Sequence, residues 1–391
     1  MPEFHEYAQA GMAAIDEKRY ADAIEAFTAA LAIDDSRPDM NNALGMSYLH
    51  RGEVGSAIPF LEKAVTLAEP YSAPEHQDLK RHFHMGMASA YQLADRIHDA
   101  RRALRSVIER WPEQADAYMN LAALLLNACM LDDGKQVYKD LLEGAGLLDE
   151  DSKKAVEAVL GAIEAFEFAA DDDGAEPNMF IEAHRESYAE YFSEQAEPLL
   201  NEGWYAEAAR MAKSDFGDPR PYLAEGARHY ARMRVDLVNP ADGSVAQVYS
   251  DTEPMLVAVE GLEPLAQAPI MLPWRGWPYE VWVCTQCPWH WLQITIQFET
   301  NSDAETRIGL IDELIGDWYT MGYEGQFGEA GHGRFHYITD PEPVGTSAVS
   351  YVVDLGRAKF EAVDMLMRRL IILHDKQPIR RLLFGAGHLP D

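Results

Sequence analysis

The sequence predicts an α+β multidomain protein, an N-terminal α-helical repeat solenoid followed by a C-terminal domain of mixed strands and helices. Three observations predict it: small and large residues recur with a 34-residue period in the first third, an Asp/Gly-rich break follows near 170–178, and alternating strand-like patterns enter beyond Pro221. The chain has 391 residues of which 48% are hydrophobic, enough for more than one packed core.

The repeats come first. Gly11 and Gly45 are 34 positions apart, as are Ala23 and Ala57. Leu44-Gly45-Met46-Ser47-Tyr48 with Ala57 and Leu61 matches the stretch that leads from Gly11 through Tyr20 and Ala23 to Phe27 and Ala30. A third copy reads Met87-Ala88-Ser89-Ala90-Tyr91, Ala100 and Leu104, displaced by an insertion containing Pro70, Ser72 and Pro74. A fourth reads Leu121-Ala122, Gly134 and Tyr138, and Ala100 to Gly134 is again 34. Small side chains let two helices approach as a tight hairpin while Tyr48, Leu61, Tyr91 and Leu104 fill the adjoining space. Each hairpin leaves an apolar face that the next one covers.

Over roughly residues 4–142 this resembles the tetratricopeptide repeat family, with Asp35 and Glu69 where a proline often closes the unit and Gly134 in place of the usual alanine. The resemblance implies that the first helix of each hairpin lines a concave groove. In this register the groove carries His5, Met12, Asp16, Asp39, Asn42, Met46, His50, His82, Met85, Ser89, Asp116, Met119 and Asn127. The Lys/Arg/Asn set by which some members clamp a C-terminal carboxylate is missing. Met12, Met46, Met85 and Met119 point to a soft apolar groove for a peptide or protein with an apolar anchor, the alternative being that they pack on the chain's own next helix.

Ala155, Val159, Ile163 and Phe166 give an amphipathic helix from Asp149 to Phe168 that caps the array, which closes an N-terminal domain of residues 1–170. Ala170 to Asn178 reads as a linker. Residues 178–232 form a helical connector, in which Gly203 to Ala209 looks like one more degenerate repeat. The α+β domain covers 233–391. It opens with a hairpin of Arg234–Val238 and Val245–Tyr249 around Asn239-Pro240.

The last hundred residues then follow the order βαββαβ: a strand at Trp291–Glu299, a helix at Ala304–Met321, strands at Arg334–Ile338 and Val349–Asp354, a helix through Phe360, Val363, Met367 and Leu370, and a strand at Ile379–Phe384. That order, over about 290–386, is a ferredoxin-like split unit, a fold that licenses no activity by itself.

Candidate chemistry concentrates in the C-terminal domain. Cys284, Cys287 and His290 could give three ligands to zinc or another soft metal, although a structural zinc wants four and strand alternation would part the two thiols. His332 and His336 could serve acid-base chemistry, and Gly328 to Arg334 could cradle an anion, yet no nucleophile stands at a nominating distance. Six of the eight Trp fall within Trp274–Trp318 among Pro273, Pro278 and Pro288, a pattern of core, interface or binding platform. From Arg357 to Arg381 seven basic side chains face three acidic ones, a local charge of +4.

The formal charge of -32 repels phosphate backbones, which argues against nucleic acid as a general partner. The first residues carry no apolar segment of signal-peptide length, no apolar run approaches a membrane span, and three cysteines make no disulfide framework, so a cytoplasmic protein is expected. The function expected is a protein–protein interaction scaffold whose α+β domain presents or regulates the groove, with self-association as a further possibility. The rival is an enzyme or a metal- or thiol-handling maturation factor with its site around Cys284, Cys287, His290, His332 and His336.

Overall fold

The computed structural model describes the chain except residues 1, 145, 173–175, 202–204, 212–231, 239–244, 252–256, 329–334, 336, 357 and 388–391. Its contacts divide the described chain into two units, Met1–Glu157 and Ala158–Gly387. Among the described residues no helix is long and apolar enough to cross a membrane.

The first unit is built from α1 (Pro2–Asp16), α2 (Tyr20–Ile33), α3 (Pro38–His50), α4 (Val54–Ala68), α5 (Gln77–Leu93), α6 (Ile97–Arg110), α7 (Ala115–Asn127) and α8 (Leu131–Glu143). The helices pack pairwise in sequence order, and each pair packs on the next. The small residues of the period are where backbones come closest. A methyl group on Gly11 would sit 2.5 Å from the Phe27 ring, and one on Gly45 would sit 2.6 Å from Leu61. Ala57, Ala88 and Ala100 are fully buried beside Leu61, Tyr91 and Leu104 in one continuous core.

The turn inside each pair carries a second, less visible period. Lys18, Gly52, Asp95 and Cys129 all have left-handed backbones, with φ of 57°, 76°, 56° and 58°. In each turn the following amide reaches back five residues, Arg19 to Ala14, Glu53 to Tyr48, Arg96 to Tyr91 and Met130 to Leu125, at 2.8–2.9 Å. These are Schellman-type helix ends, for which glycine is the natural residue because it lacks the Cβ that crowds the left-handed conformation. Only one of the four is glycine. Lys18→Gly and Asp95→Gly are each expected to stabilise the array by about 1 kcal/mol. Urea denaturation of the single variants measures this, and an unchanged midpoint would show that the strain is relieved elsewhere.

The insertion between the second and third pairs is tied down by Lys80, 9% exposed. Its ammonium donates to the carbonyls of Glu69 at 3.0 Å and Tyr71 at 3.5 Å, just past the C-terminus of α4, where a cation complements the unpaired carbonyls. Glu69 also accepts from Arg110 at 2.6 Å, which holds its carboxyl below the usual range. His84 lies beside both, and burial lowers its pKa.

The helix predicted from Asp149 is α9 (Glu150–Asp172), begun by the Asp149 carboxylate accepting the Ser152 amide at 2.7 Å. The unit boundary falls inside this helix, so its larger part belongs to the second unit. There Phe166 meets Phe180 of α10 (Asn178–Asn201) with ring centroids 6.5 Å apart. The Gly203 to Ala209 stretch departs from expectation: Tyr205–Met211 is a strand, β1, antiparallel to β2 (Arg232–Val238), which pairs with β3 (Val245–Asp251). The alanine-rich pattern favours helix locally, but pairing with β2, distant in sequence, supersedes it.

The main sheet contains β4 (Met271–Pro273), β5 (Glu280–Cys284), β6 (Leu292–Phe298), β7 (Tyr337–Ile338), β8 (Glu342–Val344), β9 (Ala348–Asp354) and β10 (Ile379–Phe384), with α11 (Ala304–Tyr323) and α12 (Glu361–His374) between strands. The strand order is β4-β5-β10-β6-β9-β7, and β8 also pairs with β9. β5 and β10 run parallel, and the other pairs are antiparallel. The helices bury Ile311, Ile315 and Trp318 of α11 and Val363, Leu366, Met367 and Leu370 of α12. The Trp318 indole donates to the Ala362 carbonyl at 2.8 Å and so links α11 to the start of α12.

Candidate functional site

The residues assigned to the groove stand on α1, α3, α5 and α7, the first helix of each pair. Met12 is 48% exposed. Met46 and Met85 pack on the core cluster yet remain partly exposed, and Met119 is also partly buried. Met46 and Met85 thus each pack in part on the core and keep the rest of their surface exposed. His50 and His82 are exposed, with the His50 ring stacked on Tyr20 at 4.6 Å.

Asn42 and Asn127 differ from the rest, at 7% and 5% exposure. Both are buried, so neither is a freely presented side chain. A residue that the pattern did not nominate lies beside Asn42. A methyl group on Gly86 would lie 3.3 Å from the Met46 sulfur and 3.6 Å from the Asn42 amide oxygen, so the bare backbone of α5 at Gly86 receives these two side chains of α3. The signal was present as a glycine between Met85 and Met87, inside a helix where glycine is costly without a packing reason.

The second candidate lies in the C-terminal unit, where α10 packs against β5 and the short turn Trp289–Trp291. Cys284 and Cys287 are both fully buried. Burial pushes the Cys284 thiol up to about 12 and the Cys287 thiol well above its ordinary value. His184 of α10 joins them, its Nε2 3.3 Å from the Thr285 carbonyl and 3.4 Å from the Cys287 amide. Burial depresses His184 to about 4, and the Thr285 hydrogen bond offsets only part of that. His290, stacked on Tyr188 at 5.7 Å, is lowered by burial too. Burial thus favours the uncharged forms of these thiols and imidazoles, whereas a reactive cysteine needs an exposed, electropositive setting. Among the described residues no three His, Cys, Asp or Glu side chains converge to hold a metal ion. His332, His336 and most of the Gly328–Arg334 loop lie outside the described residues.

Three side chains of the basic run are paired within their own unit: Arg368 with Asp364 at 2.7 Å, Arg369 with Asp317 at 3.7 Å and Arg381 with Glu280 at 2.6 Å. The tryptophans separate into two groups. Trp274, Trp289 and Trp318 are buried, while Trp277, Trp282 and Trp291 keep partial exposure.

The model of the family described as tetratricopeptide repeat matches residues 9–72 and 85–143, the four helix pairs on either side of the insertion. The N-terminal part of this chain is a tetratricopeptide repeat array. Similar solved structures include the MamA protein, 21% identical over 44% of this chain and 83% of that one, with a TM-score of 0.34. Another is YrrB, described as a tetratricopeptide repeat protein with an unusual peptide-binding site, 19% identical over 36% of this chain and 70% of that one, with a TM-score of 0.31. A third is a tetratricopeptide repeat protein from Parabacteroides merdae, 13% identical over 45% and 68%, with a TM-score of 0.36. No curated protein matches the chain.

Proposed function

We propose that this chain is a protein–protein interaction scaffold, in which the first-helix groove of the repeat array holds a polypeptide through an apolar anchor and the C-terminal α+β domain serves as a second binding or regulatory module. The observation that carries the reading is the row of methionines on successive first helices, Met12, Met46, Met85 and Met119, all at least partly exposed. Thioether side chains of this kind adapt to irregular apolar ligands at little cost, and a row of them is a recurring feature of permissive peptide grooves. A peptide seated there would order few protein side chains, because the helices beneath are already packed. For the α+β domain, the order β10-β6-β9-β7 with every neighbour antiparallel supports the ferredoxin-like split unit, β4 and β5 then being additions at one edge.

The full chain and a Met46→Glu, Met85→Glu, Met119→Glu variant, both shown folded by circular dichroism, are compared in quantitative pull-downs and against arrayed peptides with apolar anchors. Charged side chains at all three positions are expected to weaken retained partners by tenfold or more, since each buries an unpaired carboxylate against the ligand at a cost of about 1–3 kcal/mol. Equal recovery by both proteins would sink the groove. Light scattering at two concentrations decides whether the occupant is a second copy of the chain.

A further inference from the structure

The repeat array carries a second concavity, formed by helices that the methionine groove does not use. It lies between α6 and α8, the second helices of the third and fourth pairs, and Tyr118 and Leu121 of α7 complete its lining. Its volume is about 230 Å³, smaller than a site that encloses a whole small molecule and suited to one long side chain. The apolar part consists of Leu121, buried in the array core, and of Ile108 and Val137, which pack on that core and remain partly exposed.

The polar part is unbalanced. Glu109, Asp133 and Asp140 are exposed carboxylates that line the cleft against one exposed base, Arg105, which leaves a net charge of -2. Two of the carboxylates have little compensation from the array: Asp133 has Arg101 at 4.0 Å, and Asp140 accepts from the uncharged Gln136 amide at 2.8 Å. Asp133 and Asp140 are two helical turns apart on α8, about 10 Å along its axis, with Val137 between them.

These features choose the occupant. An apolar anchor would match Ile108 and Val137 but would strip water from three carboxylates without returning any charge. An anion would meet one base among three acids. A long basic side chain answers both parts, because its methylene stem can lie along Ile108 and Val137 while its cationic head stays at the wet rim beside the carboxylates. The formal charge of -32 draws basic segments toward the chain as a whole.

We infer that the α6–α8 cleft is a docking site for a lysine or arginine side chain of a basic polypeptide segment, with Ile108 and Val137 taking the stem and Glu109, Asp133 and Asp140 the charge. The acids that select the cation are exposed, so a partner reaches them without opening the array. None of the residues assigned to the methionine groove lines this cleft, and the site does not depend on that groove.

The full chain, labelled with carbon-13 at isoleucine, leucine and valine methyl groups, is titrated with three otherwise uncharged pentapeptides whose central residue is arginine, its neutral isostere citrulline, or leucine. The arginine peptide is expected to move the Ile108, Leu121 and Val137 methyl resonances in a saturable way, and its affinity should fall with added salt. The citrulline and leucine peptides should bind at least about fivefold more weakly. Glu109→Gln with Asp140→Asn should weaken the arginine peptide about three- to tenfold, the worth of two partly screened ion pairs. Glu113→Gln with Glu143→Gln, the same change of charge at exposed acids outside the cleft, should stay within about twofold of the parent. Circular dichroism checks that both variants fold. The variant with glutamate at Met46, Met85 and Met119 should bind the arginine peptide as the parent does, which separates this site from the groove. Methyl resonances unmoved by the arginine peptide, equal binding of the citrulline or leucine peptide, or equal losses in the two neutralised variants would each overturn the assignment.

Discussion

Trp289→Ala is expected to remove about 3–5 kcal/mol from the stability of the C-terminal unit, the range for deleting a fully buried Trp side chain. Trp289 is 0% exposed and its indole donates to the Gly356 carbonyl at 2.8 Å. The substitution therefore leaves both a cavity and a buried carbonyl without its partner. The position also holds two distant stretches together, since the Leu355 amide returns to the Trp289 carbonyl and the Gly356 amide is bound by the Asp354 carboxylate at 2.8 Å. Against a domain stability of about 5–15 kcal/mol, the loss would leave the unit marginal. Trp289→Phe refills most of the volume and loses only the hydrogen bond, so about 1–2 kcal/mol is expected. Urea unfolding followed by near-ultraviolet circular dichroism checks both. An alanine variant within about 1 kcal/mol of the parent would mean that the surroundings collapse into the space.

Acid should loosen the same unit through His184. Its pKa is depressed from 6.5 to about 4, chiefly by burial, with the hydrogen bond to the Thr285 carbonyl opposing and the nearby His290 adding a smaller push downward. The sign follows from linkage: the folded state resists a proton that the unfolded state accepts, so the contribution is complete above pH 6.5 and is lost as pH falls through about 4. A shift of this size corresponds to about 3 kcal/mol at most. His290 is lowered by burial too, with Asp354 opposing, and it adds in the same direction. His184→Gln, which retains a side-chain amide for the Thr285 and Cys287 backbone, is expected to flatten the stability profile between pH 6.5 and 4. An unchanged slope in that variant would assign the acid sensitivity to other groups.

Much of the first unit was legible because its information is local and repeated. Gly11, Gly45, Ala57 and Ala100 announce their packing by size alone, and the repeat period multiplies each weak signal. The left-handed turns were harder to see, since Lys18, Asp95 and Cys129 share a backbone conformation without sharing a residue type. In the second unit the helices Ala304–Tyr323 and Glu361–His374 and the strands Leu292–Phe298 and Ile379–Phe384 follow readable periodicities. The short strands Met271–Pro273 and Glu280–Cys284 do not, because prolines and tryptophans mask alternation. Tyr205–Met211 reads as helix and is a strand because its partner lies far along the chain.

The candidate sites divide along the same line. The methionine row follows from helical phase, so the sequence alone places it on the first helices. How much of each methionine remains uncovered depends on the neighbouring helix, and only the packing decided that Asn42 and Asn127 are enclosed. Cys284, Cys287 and His290 are adjacent in sequence, but His184 joins them from about a hundred residues away, and burial then favours the uncharged form of all four. The sequence by itself determined the repeat array, its period and most of the elements near the C-terminus, the strand Glu342–Val344 excepted, because each is written in a local periodicity of side-chain size and polarity. The tertiary structure alone decided which polar groups lose water, and with that the uncharged state favoured for the buried thiols and for His184, because desolvation depends on everything that surrounds a side chain.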